Sequence, residues 1–89
     1  MLEKENAAQA ESTGRPATFG EKAVGLSFNP GGSDDVNKIK KSFADIIDVL
    51  DKLRSRDPLN KEVNRMLSVA ITESQSAQMW AVKAVTWQH

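Results

Sequence analysis

The chain of 89 residues contains no cysteine and no tyrosine, and its single histidine is the last residue, His89. The absence of cysteine excludes disulfides and thiol chemistry and fits a reducing compartment. Twelve basic residues balance twelve acidic ones, so no overall field attracts polymeric nucleic acid or an anionic membrane. Apolar runs of about 18 residues, as a membrane span needs, are missing, and so is the apolar part of a signal peptide. We expect one small soluble domain in the cytoplasm, with any anion site built locally.

Signatures of catalysis and of metal binding are also missing from the sequence. It has no nucleophile elbow, no P-loop and no paired spacing of metal ligands. Carboxylates are numerous, but most have a basic residue three or four positions away, a spacing typical of ion pairs on a solvated helix face. The predicted pairs are Asp34–Lys38, Lys41–Asp45 and Asp48–Lys52. We therefore expect a protein that is not an enzyme and that uses no metal or cofactor.

The N-terminal third of the chain contains a polar tail, a short helix and a break. Residues 1–17 have almost nothing apolar to bury, which is typical of a mobile tail. Thr18 and Glu21 then have the spacing of a capping box, which predicts a helix, and Gly25 keeps that helix short. The segment FNPGGS, residues 28–33, interrupts the chain with a proline and two glycines.

Two long helices are predicted after this break. Ser33 can cap the first, which ends at Asp57–Pro58, and the second is expected from about Pro58 to about Trp87. Apolar residues recur along the first helix at spacings of three and four: Val36, Ile39, Phe43, Ile46, Leu50 and Leu53, with Ile47 beside them. The second helix has a row of mostly small residues at the same spacing: Val63, Leu67, Ala70, Ser74, Ala77, Ala81 and Ala84. The predicted fold class is all-α, a short N-terminal helix plus a long antiparallel hairpin in one domain, residues 18–89.

The end of the second helix predicts self-association. Between Met79 and Trp87 apolar side chains point in nearly every direction, since each residue turns the helix by about 100°. One partner helix covers only one of these sides. We therefore expect the protein to be a homo-oligomer.

Three basic residues are candidates for binding an anion. Lys83 has Trp80 and Trp87 within a turn and Lys40 flanks the apolar stripe, and neither has an acid within a turn. Arg65 is the weaker candidate, because Glu62 lies three residues before it. A cation beside aromatic faces suits a nucleobase with its phosphate. The same pattern also fits a lysine that extends over a tryptophan to reach water.

The FNPGG segment is a further candidate. The two glycine N–H groups ahead of a capped helix can form a concavity for an anion, Phe28 can stack on a base, and Asn29 can contact the base edge. The alternative is an ordinary turn between helices, with Phe28 packed inward.

Ordered sequence features between residues 24 and 87 resemble a known family. They are Phe-Asn-Pro at residues 28–30, Val-x-x-Ile-Lys from Val36, Thr-Glu at Thr72, and MWAVKA from Met79. The set is similar to the helical hairpin family of phage anti-defence proteins, the sponges that sequester cyclic nucleotide signals of the CBASS and Thoeris systems.

The resemblance implies a compact homo-oligomer, usually a hexamer, that acts in the host cytoplasm. Its ligands would be cyclic di- or trinucleotides, or cyclic ADP-ribose isomers, held between protomers without turnover. The implied nucleotide-binding residues are Phe28, Asn29, Lys40, Arg65, Thr72, Trp80 and Lys83. Some anti-CBASS members use a tyrosine for base stacking; in this chain that role would pass to Phe28, Trp80 or Trp87. The absence of N-terminal β structure favours the anti-CBASS branch or a dual binder.

A second hypothesis belongs to a different class. The same hairpin would suit a structural or adaptor protein whose exposed apolar face docks another protein. Binding of cyclic nucleotides discriminates between the two hypotheses.

Overall fold

The computed structural model describes residues 15–88, and within this range the chain is helical. Helix α1 spans Phe19–Val24, α2 spans Asp34–Arg56 and α3 spans Lys61–Val85. Helices α2 and α3 form the predicted hairpin, and α1 packs mainly against α2. The all-α fold class is therefore confirmed. The predicted tail falls largely on residues 1–14, which lie outside the described residues.

Helix α1 has the predicted ends. The Thr18 hydroxyl accepts the N–H of Glu21 at 3.1 Å, and the Glu21 carboxylate accepts the N–H of Thr18 at 2.9 Å, which completes the capping box. At the other end Gly25 has φ 62°, a left-handed conformation that favours glycine. Gly20 lies against α2, where its N–H donates to the Asp48 carboxylate at 2.6 Å.

The turn before α2 is held by one asparagine. The Asn29 side chain donates to the carbonyl of Ser33 at 2.9 Å and accepts the N–H of Ser33 at 3.3 Å. Ser33 in turn caps α2 by accepting the N–H of Val36 at 3.2 Å. Both Asp34 and Asp35 fall in the first turn, as expected from the helix dipole.

The start of α3 differs from the prediction by three residues. Asp57 does not cap this helix, because its carboxylate accepts the N–H of Leu59 at 3.3 Å within a turn. Asn60 caps it instead, accepting the N–H of Val63 at 3.2 Å. Local side-chain bonds of this kind compete with helix formation, so Pro58 stays in the connecting turn.

The core lies at the end of the hairpin that α1 covers. Its buried apolar residues are Val24, Leu26, Ala44, Ile47 and Ile71. Ile47, predicted only to widen the apolar stripe, is fully buried, whereas Ile46 is 48% exposed. The buried side of α2 is therefore turned one position from the predicted row. The contact of Gly20 with α2 fixes this orientation, and no pattern local to α2 reveals it.

The predicted packing row of α3 is partly wrong. Val63, Ala77 and Ala84 are exposed, while Ile71 and Gln78 are buried. The buried face is anchored by contacts with α1 and α2: Gln75 donates to the carbonyl of Ala23, and Ser68 accepts from Arg54 at 3.1 Å. These contacts leave apolar side chains exposed on α3 at Val63, Met66, Val69, Met79, Trp80 and Val85, and at Trp87 just after the helix.

Of the three predicted ion pairs, only Lys41–Asp45 is present, at 3.9 Å. The Asp34–Lys38 and Asp48–Lys52 pairs are absent from the described part of the chain; the Asp48 carboxylate accepts the N–H of Gly20 instead. Other ion pairs join Arg54 to Asp51, Arg65 to Glu62 and Arg15 to Glu21. None of the described helices is long and apolar enough to cross a membrane.

Candidate functional site

Two clefts lie side by side at the end of the hairpin that contains the FNPGGS turn. The first, about 340 Å³, lies between this turn and the end of α3, with Phe28, Pro30, Val36 and Thr86 in its walls. The second, about 500 Å³, lies between α1 and α3, with Lys22, Gly25, Gln78, Met79 and Lys83 in its walls. Lys40 and Val82 line both. These volumes fall in the range of small-molecule sites, and no acidic side chain of residues 15–88 lines either cleft.

Lys40 forms the division between the two clefts. The residue is 5% exposed, and its ammonium donates to the carbonyl of Gly25 at 3.0 Å and to the carbonyl of Phe28. It also lies 5.5 Å from the centre of the Phe28 ring. Burial lowers the pKa of Lys40, since the charged form loses hydration. The lysine predicted to flank the apolar stripe thus sits inside the fold and fixes the backbone that carries Phe28.

The aromatic and amide groups of the turn differ in what they offer a ligand. Phe28 is 71% exposed, so the predicted alternative of a Phe28 packed inward is wrong. Its exposed ring can stack on a base. The amide of Asn29 is engaged on both sides by Ser33, so its observed contacts serve the turn.

Lys83 lies between two indole rings at the end of α3. Its ammonium is 5.4 Å from the centre of the Trp80 ring and 5.7 Å from that of Trp87. Trp80 and Trp87 are 67% and 62% exposed. A cation held over aromatic faces is stabilised there and remains accessible to an anion. This arrangement combines the two predicted alternatives, because the lysine extends over tryptophan and also borders the second cleft.

Two of the predicted site residues lie elsewhere in the protomer. Arg65 is near the start of α3, about 27 Å along the helix from Lys83 at 1.5 Å per residue. It forms a double hydrogen bond with Glu62, which raises the pKa of Arg65 and lowers the pKa of Glu62. Thr72 is exposed in the middle of α3. The structure therefore brings Phe28, Lys40, Trp80 and Lys83 together at one end, without Arg65 or Thr72.

Two residues of the second cleft, Lys22 and Gln78, are not among the site residues predicted from the sequence. Lys22 lies on α1, and its position depends on how α1 docks, which no local pattern shows. Gln78 is 5% exposed and lies seven residues after Ile71, on the buried face of α3. A polar residue at this spacing could have been recognised if the buried row had been assigned through Ile71.

Residues 21–86 match the model of the family described as Acb2/Tad1, hairpin domain. The matched segment includes α2, α3 and the FNPGGS turn, and it ends one residue before Trp87. The chain belongs to the Acb2/Tad1 hairpin family. This is the phage anti-CBASS and anti-Thoeris sponge family, so the predicted resemblance is confirmed. No significant match was found among curated proteins or among solved structures.

Membership of the Acb2/Tad1 hairpin family indicates which class of ligand to compare with the two clefts. Members of this family act as sponges for cyclic nucleotide signals in phage anti-defence. A nucleotide presents flat bases and anionic phosphates. The exposed Phe28 ring in the first cleft, the Trp80 ring beside Lys83, and the lysines that line clefts without described carboxylates match both groups.

Proposed function

We propose that this protein binds and sequesters cyclic di- or trinucleotide messengers, or cyclic ADP-ribose isomers, without degrading them. The observation that supports this most is the acid-free pair of clefts bordered by Phe28, Lys40 and Lys83. Sequestration requires only that the protein binds the messenger. The proposed ligand is released unchanged. Neither a metal nor a cofactor has a role in this proposal.

The ligand pockets are proposed to be completed by a second protomer. One chain leaves large apolar side chains at and beside the clefts uncovered: Phe28, Met79, Trp80 and Trp87 are all more than half exposed. Among the described side chains only Ile47 is both large and fully buried, which is a small core for a domain of this size. A homo-oligomer, a hexamer as the family resemblance implies, would cover these surfaces and close the clefts at the same time.

Arg65 and Thr72 are proposed to contact a ligand only in the assembled oligomer. Because neither residue lines either cleft, they would meet a ligand bound at another seam or in a neighbouring protomer's pocket. The proposed domain is residues 18–89, and the proposed place of action is the host cytoplasm.

Thermal denaturation with a panel of cyclic nucleotides tests the function. A ligand present at 100 times its dissociation constant stabilises the folded state by about 2.7 kcal/mol. Light scattering on the same samples should give about six times the 9.8 kDa of one chain. The exposed apolar row of Val63, Met66 and Val69 favours the alternative of an adaptor that docks another protein. That alternative replaces the sponge if no cyclic nucleotide raises the melting temperature.

A further inference from the structure

Gln78 is a buried polar residue that makes no side-chain hydrogen bond to any residue between 15 and 88. It is 5% exposed and lines the second cleft. Its amide atoms are not among those sealed from solvent without a partner. The amide therefore reaches the cleft while the rest of the side chain is enclosed.

An amide in this position lowers the stability of the folded protein when no ligand is bound. A buried amide that loses most of its water without gaining a protein partner destabilises the folded state, and an apolar side chain of similar size would pack there better. Nearby Gln75 shows the contrast, since its amide donates to the carbonyl of Ala23. The position of Gln78 is explained by a ligand that supplies the missing hydrogen bonds.

The chemistry around Gln78 favours one ligand group. A carboxamide offers a donor beside an acceptor, which complements the N7 acceptor and the N6 donor of adenine. Met79 and Val82 give the cleft apolar walls for the faces of a base. Lys22 and Lys83 line the same cleft and offer cations to a phosphate.

We propose that Gln78 is the specificity-determining residue of the second cleft and that it selects an adenine-containing cyclic nucleotide. This inference rests on the proposed function and adds to it the base that is recognised and the residue that recognises it. Gln78 would hydrogen-bond the base edge while Lys22 and Lys83 bind the phosphates.

The test compares the parent with Gln78→Met, using cyclic di-AMP and its 7-deaza analogue, in which a C–H group replaces the N7 acceptor. In the parent the analogue should bind about ten- to a hundredfold more weakly than cyclic di-AMP, since one hydrogen bond of the bidentate contact is lost and the buried amide N–H is left without its acceptor. In Gln78→Met cyclic di-AMP should bind as weakly as the analogue does. The variant should melt no lower than the parent, because methionine removes the unpaired amide.

Gln75→Met is the matched control. It makes the same chemical change one turn earlier, but it removes an existing hydrogen bond, so it should lower the melting temperature. It should still bind cyclic di-AMP more tightly than the 7-deaza analogue. Light scattering on all three proteins reports assembly. Two results would show that Gln78 is structural and would overturn the inference. The first is dissociation of the oligomer in the Gln78→Met variant. The second is a Gln78→Met variant that melts lower than the parent and still binds cyclic di-AMP more tightly than the 7-deaza analogue.

The outcomes also separate this inference from the proposed function. A parent that bound cyclic di-GMP but not cyclic di-AMP would overturn the adenine assignment and leave the sponge function standing. A parent that bound no cyclic nucleotide would overturn both.

Discussion

Replacing Gly20 by alanine should undock α1 from the hairpin. A Cβ atom at this position would lie 2.1 Å from the carbonyl oxygen of Ala44 and 2.9 Å from the Asp48 carboxylate. Ordinary contact begins at 3.4 Å, so α1 would have to move by about 1.3 Å. The same movement stretches the hydrogen bond from Gly20 to Asp48, now 2.6 Å, beyond bonding distance.

The expected cost has two parts. Overpacking a close contact costs about 1–3 kcal/mol, and losing a hydrogen bond to a charged group costs about 1.5–3 kcal/mol. Together these approach a large share of the stability of a domain this small. Because Lys22 and Gly25 form one wall of the second cleft, ligand binding there should weaken as α1 leaves.

Urea denaturation of Gly20→Ala and Gly31→Ala measures the effect. Gly31 is the matched control, since a Cβ there would meet nothing within 4 Å and its φ is not in the left-handed region. Gly20→Ala should lose about 2.5–6 kcal/mol, and Gly31→Ala should stay within about 0.5 kcal/mol of the parent. Equal stabilities of the two variants would refute the docking of α1 against α2.

Three further predictions concern charged residues. Lys40→Met should lower the free energy of unfolding in urea by about 1–3 kcal/mol, because the carbonyls of Gly25 and Phe28 lose their buried donor; a loss below 0.5 kcal/mol would indicate a solvated lysine. Burial raises the pKa of Glu21, but hydrogen bonds from Arg15 and Thr18 outweigh it and hold that pKa below its ordinary 4.5. Its stabilising contribution is therefore full above pH 4.5 and is lost as the pH falls through the lowered pKa; acid titrations followed by circular dichroism should show a shallower loss for Glu21→Gln, and parallel curves would contradict this. Lys83→Ala should weaken messenger binding about ten- to a hundredfold in calorimetry, while Lys52→Ala, on the outer face of α2, should bind like the parent; equal binding by both would remove Lys83 from the site.

Much of the fold could be predicted because its signals are local. The capping box of α1, the left-handed Gly25 and the Ser33 cap each depend on residues within one helical turn. The end of α2 at Arg56 also follows from the proline that comes two residues later.

The rotation of the helices about their axes could not be predicted in the same way. It depends on contacts between residues far apart in the chain, such as Gly20 with Asp48 and Gln75 with Ala23. These contacts bury Ile47 and Gln78 and expose Ile46, although the spacing of apolar residues fits either assignment.

The candidate site also has one part that the sequence predicts and one part that it does not. The aromatic neighbours of Lys83 were predictable, because residues three and four apart meet on a helix. The environment of Lys40 was not, since its carbonyl partners lie 12 and 15 residues away in a turn of irregular backbone.

Calorimetric titration of the intact protein with cyclic di- and trinucleotides and cyclic ADP-ribose tests the central proposal most directly. The bound ligand is then recovered by denaturing the protein and analysed by chromatography. We expect saturable binding of at least one messenger and recovery of that messenger intact and in the amount that was bound. The proposal would be contradicted if no messenger bound, or if the recovered nucleotide had been cleaved.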